Sequence, residues 1–85
     1  MKGEGKEYHR NGTLKFEGEF LNGLKNRKGK EYNDRGNLIF EGNYENGKKI
    51  GEGKEYHYNG TLKFEGEFSN GLKMKKEKNL MLKDI

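Results

Sequence analysis

Apolar and charged residues alternate over Leu14-Lys15-Phe16-Glu17-Gly18-Glu19-Phe20, and the same alternation returns at Leu38–Tyr44 and Leu62–Phe68. Spacing by two puts the apolar groups on one face and the charges on the other, which predicts half-buried antiparallel strands. A helix would scatter Leu14, Phe16 and Phe20 around its cylinder and would be weakened by Gly18. Each strand runs into Asn-Gly, at Asn22-Gly23, Asn46-Gly47 and Asn70-Gly71. Both residues tolerate positive φ, so these pairs predict tight hairpins. A second turn is expected at Arg10-Asn11-Gly12, Asp34-Arg35-Gly36 and Tyr58-Asn59-Gly60. The predicted strands lie near 5–9, 13–20, 24–33, 37–44, 48–57, 61–68 and 72–77.

The pattern is a repeat. Residues 3–25 and 51–73 differ only at Arg10/Tyr58 and Leu21/Ser69, and a diverged copy, 27–49, lies between them in the same register. The period is 24 residues. A fixed period of this size signals stacked supersecondary units. It also argues against an enzyme, because nearly every residue has a twin. Residues 1–73 form the array and 74–85 a basic amphipathic cap or tail. The expected repeat core is Leu14, Phe16, Phe20, Leu38, Phe40, Tyr44, Leu62, Phe64 and Phe68. Gly18, Gly42 and Gly66 fall between aromatics of one face, where a missing side chain leaves room for a ring over the backbone.

Composition narrows the class. Of 85 residues, 28% are apolar and 38% charged, too lean for a compact globule of this size. Aromatics at 12%, recurring at fixed positions, argue against disorder. There is no cysteine, so neither a disulfide framework nor a thiolate metal site is expected. No apolar run approaches a membrane span, and no signal peptide is visible, so a cytoplasmic location is expected, with a membrane-peripheral alternative. The +4 net charge is concentrated in residues 73–85, where five lysines face two acids. The nearly neutral repeats exclude a nucleic-acid stripe.

No catalytic or cofactor signature is present. Gly3-Glu4-Gly5 and Gly51-Glu52-Gly53 lack the Gly-Lys-Ser/Thr and the helix of a phosphate loop. His9 and His57 are exposed strand-end twins without further ligands. Glu17, Glu19, Glu65 and Glu67 share a face with Lys15 and Lys63, which cross-strand ion pairing explains. No catalytic, metal-binding or cofactor-binding residue is therefore assigned. Tyr8, Tyr32, Tyr56 and Tyr58 are the candidate partner-binding residues, with hydroxyls suited to meeting a peptide. Lys73, Lys75, Lys76 and Lys78 are candidate contacts for acidic lipid.

Phe40-Glu41-Gly42-Asn43-Tyr44, followed by Gly47-Lys48, Gly51-Glu52-Gly53 and Tyr56, resembles a MORN repeat. The Asn-Gly-x-Leu and the period are more similar to the bacterial-type variant of that repeat. The likeness covers about residues 3–73. It implies an all-β, single-layer antiparallel meander, an open solenoid of hairpin repeats. It also implies a non-catalytic scaffold that binds a protein or peptide partner, with acidic phospholipid binding or an antitoxin-like, partner-neutralising role as alternatives. Arg27 departs from the pattern where a leading glycine is expected, and Lys75 and Glu77 replace both glycines of the last unit. The array opens in mid-repeat at Met1-Lys2, so a fragment of a longer array, or an open edge strand prone to edge-to-edge self-association, is expected.

Overall fold

Seven strands follow one another across a single sheet in chain order, every neighbouring pair antiparallel. They are β1 (Lys2–Tyr8), β2 (Leu14–Leu21), β3 (Leu24–Tyr32), β4 (Leu38–Glu45), β5 (Lys48–Tyr56), β6 (Leu62–Ser69) and β7 (Leu72–Lys73). This computed structural model describes residues 2–74. The protein is therefore an all-β antiparallel meander, and no helix occurs among the described residues. Its extents of 49 × 32 × 14 Å are those of one layer, since a second sheet would add about 10 Å of thickness.

Two turn chemistries set the register. Asn22, Asn46 and Asn70 have φ of 53–54°, and the glycines after them 84–85°. These are two-residue hairpin loops with both central residues left-handed, and they pair Leu21 with Leu24, Glu45 with Lys48 and Ser69 with Leu72. At the opposite end, the His9 amide donates to the Thr13 carbonyl and the Gly12 amide to the His9 carbonyl. Gly12, at φ 91°, closes this longer turn. The Asn11 side chain accepts from the Thr13 amide at 3.0 Å, and Asn59 does the same for Thr61 at 3.1 Å.

The core is aromatic and lies on one face. Phe16, Phe40, Tyr44 and Phe68 are buried, with Phe20 and Phe64 packed against them. The six rings form a continuous edge-to-face chain, Phe20–Phe16–Tyr44–Phe40–Phe68–Phe64, with centroids 5.3–5.7 Å apart. Each such contact contributes about 0.5–1.5 kcal/mol beyond area burial. The rings lie on glycine. Gly5, Gly18, Gly29, Gly42, Gly53 and Gly66 are paired directly across successive strands, forming one row through the sheet. A methyl group at Gly29 would sit 2.5 Å from a Phe16 ring atom, and one at Gly53 2.9 Å from Phe40.

The three leucines of the expected core are not in it. Leu62 is 52% exposed, and Leu14 and Leu38 are half-buried outside the ring cluster. The reason is a shift in register. Glu7 pairs with Phe16 but Tyr8 with Leu14, so Lys15 is extra and the strict alternation stops before Leu14 is reached. Ile39 and Lys63 occupy the same extra position in the other units.

Candidate functional site

The side chains flanking the glycine row point away from the rings, because successive residues of a strand face opposite sides. They line a groove of about 950 Å³ whose floor is the glycine backbone. One wall is a ladder of alternating charge: Lys6 opposes Glu17, Glu17 opposes Lys30, and the pairing continues through Glu41, Lys54 and Glu65. Directly opposite residues of unlike charge stabilise such a row by about 0.2–1 kcal/mol each. The other wall carries Glu4, Glu19, Lys28, Asn43 and Glu52. Carboxylates thus outnumber lysines along the groove, although the whole chain is net positive.

Tyrosines at the ends of the odd-numbered strands flank one side of the ladder. The Tyr32 hydroxyl donates to Glu17 Oε2 and the Tyr56 hydroxyl to Glu41 Oε1, both at 3.1 Å. Burial, and then the hydrogen bond to the carboxylate, raise both phenols above their ordinary pKa of 10.0. They stay protonated and hold the glutamates in place. Tyr8 occupies the same position on β1 but is 59% exposed. Tyr58 is 70% exposed in a turn and does not join the row. The four tyrosines read from the sequence therefore divide into Tyr8, Tyr32 and Tyr56 on equivalent strands, and a separate Tyr58.

The ring face is closed by a device that the sequence reading missed. Lys25 Nζ lies 4.4 Å from the centre of the Phe16 ring and 3.7 Å from Glu7 Oε1. Lys49 repeats this over Phe40 at 4.1 Å and beside Glu31 at 3.8 Å. Lys73 repeats it over Phe64 at 5.1 Å and beside Glu55 at 2.9 Å. Each lysine sets its ammonium over a ring and beside a glutamate two strands away, so a cation–π contact and an ion pair are made together. Lys73, read from the sequence as a lipid contact, is thus the third of these clamps. Lys75, Lys76 and Lys78 lie outside the described residues, as does the expected cap over 74–85 beyond Met74. The signal for the clamps was available: a lysine follows each Asn-Gly at the period, and Glu7, Glu31 and Glu55 recur with it.

Other expected side chains take specific places. His9 is half-buried, not free at a strand end, and its Nε2 lies 2.8 Å from the Tyr32 carbonyl, tying one turn to the next. Its twin His57 is exposed. Glu19 meets Arg27 at 3.6 Å, and Glu17 meets Tyr32, so neither takes Lys15 as its partner. Among the described residues, no group of three or more histidines and carboxylates is placed to hold a metal ion.

Comparison with known proteins accords with this geometry. Residues 1–22 and 49–70 match the family described as MORN repeat variant, and residues 16–37 match the MORN repeat. No curated protein and no solved structure matches the chain.

Proposed function

The chain belongs to the MORN repeat family, and from that premise we propose that it is a non-catalytic module that holds a segment of a partner protein in the glycine-floored groove. The observation that carries this reading is the groove itself: a backbone lane lacking side chains, walled by charges of both signs at fixed spacing. A bare floor lets a partner approach the sheet closely. Among the described residues, the ladder lysines Lys6, Lys30 and Lys54 take part in none of the ion pairs at 2.9–3.8 Å, which leaves their ammonium groups for a ligand. The lane crosses six strands, a length of roughly 24 Å at about 4.8 Å per strand step. That length accommodates a short linear segment.

The excess of carboxylates favours a basic segment. It disfavours an acidic lipid headgroup or a nucleic acid, both of which would meet like charge. Selection from a random peptide library on the immobilised chain tests the reading. The selected peptides are expected to be net basic and to lose binding to the Glu41→Lys chain, while acidic vesicles leave the groove amides unshifted by NMR. Peptides that bind the Glu41→Lys chain equally well would overturn it.

A further inference from the structure

The charges along the lane have a period, and a period selects among the conformations a partner can adopt. Glu17, Glu41 and Glu65 alternate with Lys6, Lys30 and Lys54, each residue directly opposite the next. The bulges of the sheet fall elsewhere, between Gly18 and Phe20, between Gly42 and Asn43, and after Glu7, Glu31 and Glu55, so the ladder itself is even. Its carboxylates recur at every second strand. At about 4.7–4.9 Å per strand, that is a repeat of about 9.4–9.8 Å, or about 19–20 Å from Glu17 to Glu65.

We infer that the partner segment lies in the groove as a polyproline II helix with a cation at every third residue, an inference that rests on the proposed capture of a basic segment. Such a helix has three residues per turn and rises about 3.1 Å per residue, so every third side chain points the same way at intervals of about 9.3 Å. From Glu17 to Glu65 the mismatch accumulates to about 1 Å or less. A β-strand does not match. Its same-face side chains recur at about 6.4–6.8 Å, and its third residue, at about the right distance, points to the opposite side. An α-helix returns to one face after seven residues, about 10.5 Å, and overshoots by about 2 Å across the same glutamates.

Width and hydrogen bonding select the same conformation. The two walls come from residues on either side of each glycine, such as Glu17 and Glu19 about Gly18. Their Cα rows therefore run about 6.5–7 Å apart. An α-helix, about 10–12 Å across with its side chains, is wider than that lane and does not reach its floor. A segment crossing over the face of the sheet also gains no ladder of backbone bonds by becoming a strand, because the floor glycines already pair with one another from strand to strand. A polyproline II segment needs none. It has no internal hydrogen bonds, and its carbonyls stay open to donors. Lys6, Lys30 and Lys54, exposed between the glutamates, are placed to donate to them.

The glutamates are held in advance. Tyr32 donates to Oε2 of Glu17 and Tyr56 to Oε1 of Glu41, each at 3.1 Å. The second oxygen of each carboxylate can accept from a guanidinium or ammonium group. Glu17 and Glu41 are half-buried, whereas the lysines beside them are exposed. The fixed charges of the ladder are thus the negative ones, so the spacing of the partner's cations is what the groove reads.

Titration of the full-length chain with labelled peptides of one composition and two orders tests this. In Arg-Pro-Pro-Arg-Pro-Pro-Arg, arginine stands at every third position; in Arg-Pro-Arg-Pro-Arg-Pro-Pro, at every second. The first should bind roughly tenfold more tightly, the cost of misplacing one charge-assisted hydrogen bond. Glu41→Gln removes the central charge but keeps an oxygen to accept from Tyr56, and in that chain the advantage should narrow. A third peptide, with glycine in place of each proline, keeps the order without the preset conformation and should bind more weakly than the first. Equal affinity for the two orders, or a preference for the second, overturns the polyproline II inference and leaves capture of a basic segment standing. An undiminished advantage in Glu41→Gln, or a glycine peptide that binds as tightly as the proline one, overturns it in the same way. Binding of none of the three peptides overturns both.

Discussion

The Tyr44 hydroxyl donates a 2.6 Å hydrogen bond to Glu31 Oε2, while the other oxygen of that carboxylate lies 3.8 Å from Lys49. In the units on either side, the place of Tyr44 is taken by Phe20 and Phe68, which have no hydroxyl. The middle unit is thus tied more tightly than its neighbours. Tyr44→Phe keeps the ring and removes only this bond, leaving Glu31 with Lys49. A hydrogen bond to a charged group contributes about 1.5–3 kcal/mol, so a loss near the lower end of that range is expected in urea unfolding. An unchanged midpoint would mean that the bond contributes nothing net.

The same contact gives the chain an alkaline limit. Burial, then the hydrogen bond to Glu31, raise the Tyr44 phenol well above its ordinary 10.0, and Tyr32 and Tyr56 move in the same direction. In the unfolded chain these phenols ionise at their ordinary value. The stabilisation is therefore complete below pH 10 and is lost as pH rises above it, because tyrosinate is accommodated more readily in the unfolded state. Melting temperatures measured from pH 8 to 12 should fall beyond pH 10, and less steeply for Tyr44→Phe than for the parent. Parallel curves would exclude Tyr44 as the titrating group.

Phe40 and Leu62 separate the real core from the expected one. Phe40 is 1% exposed, touches Tyr44 and Phe68 edge-on, and lies under Lys49. Phe40→Ala should cost about 3–5 kcal/mol, a large share of the stability of a domain of this size. Leu62 is 52% exposed, and Leu62→Ala should stay within about 0.5 kcal/mol. Comparable losses in thermal unfolding would contradict the placement of the core on the rings alone.

These two residues also show what the sequence could reveal. Period-two spacing and the Asn-Gly pairs were enough to place the hairpins, because both reflect local backbone geometry. The rings over glycine were legible for the same reason, since they follow from neighbours on one strand and its partner. The positions of Leu14, Leu38 and Leu62 were not, because alternation gives no sign of an extra residue inserted opposite a strand pair. The clamps of Lys25, Lys49 and Lys73 span two strands, and the charge ladder emerges only once the register is known. Lysine and glutamate at a fixed period look the same whether they face solvent, a ring or a groove.

Arg27 and Gly51 occupy the same place in successive units, at φ 69° and 65°, where the strand bulges. A left-handed conformation costs a non-glycine residue about 1–2 kcal/mol. Glycine avoids that cost but loses about 0.5–1 kcal/mol in chain entropy. The exposed Arg27–Glu19 pair at 3.6 Å contributes little, about 0–1 kcal/mol. Arg27→Gly should therefore raise stability slightly, by up to about 1 kcal/mol, and Gly51→Arg should lower it by a similar amount. Shifts of the same sign in a chemical denaturation series would show that backbone strain does not govern this position.

Gly29 and Gly3 test whether the rings or the turns require glycine. Neither of the two has a left-handed φ, so any difference between them arises from space. At Gly29 an added methyl would lie 2.5 Å from Phe16 and 3.0 Å from Tyr44. Both rings are buried at the centre of the chain of aromatic contacts, and shifting either disturbs its neighbours. Overpacking of this kind costs about 1–3 kcal/mol, and Gly29→Ala should lose stability in that range. At Gly3 nothing lies within 4 Å of the added methyl. There, alanine only restricts the unfolded chain, so Gly3→Ala should be neutral or stabilising by up to about 1 kcal/mol. Calorimetric melting of the two variants decides the matter: equal effects would mean that the row of glycines exists for some reason other than the rings that lie on it.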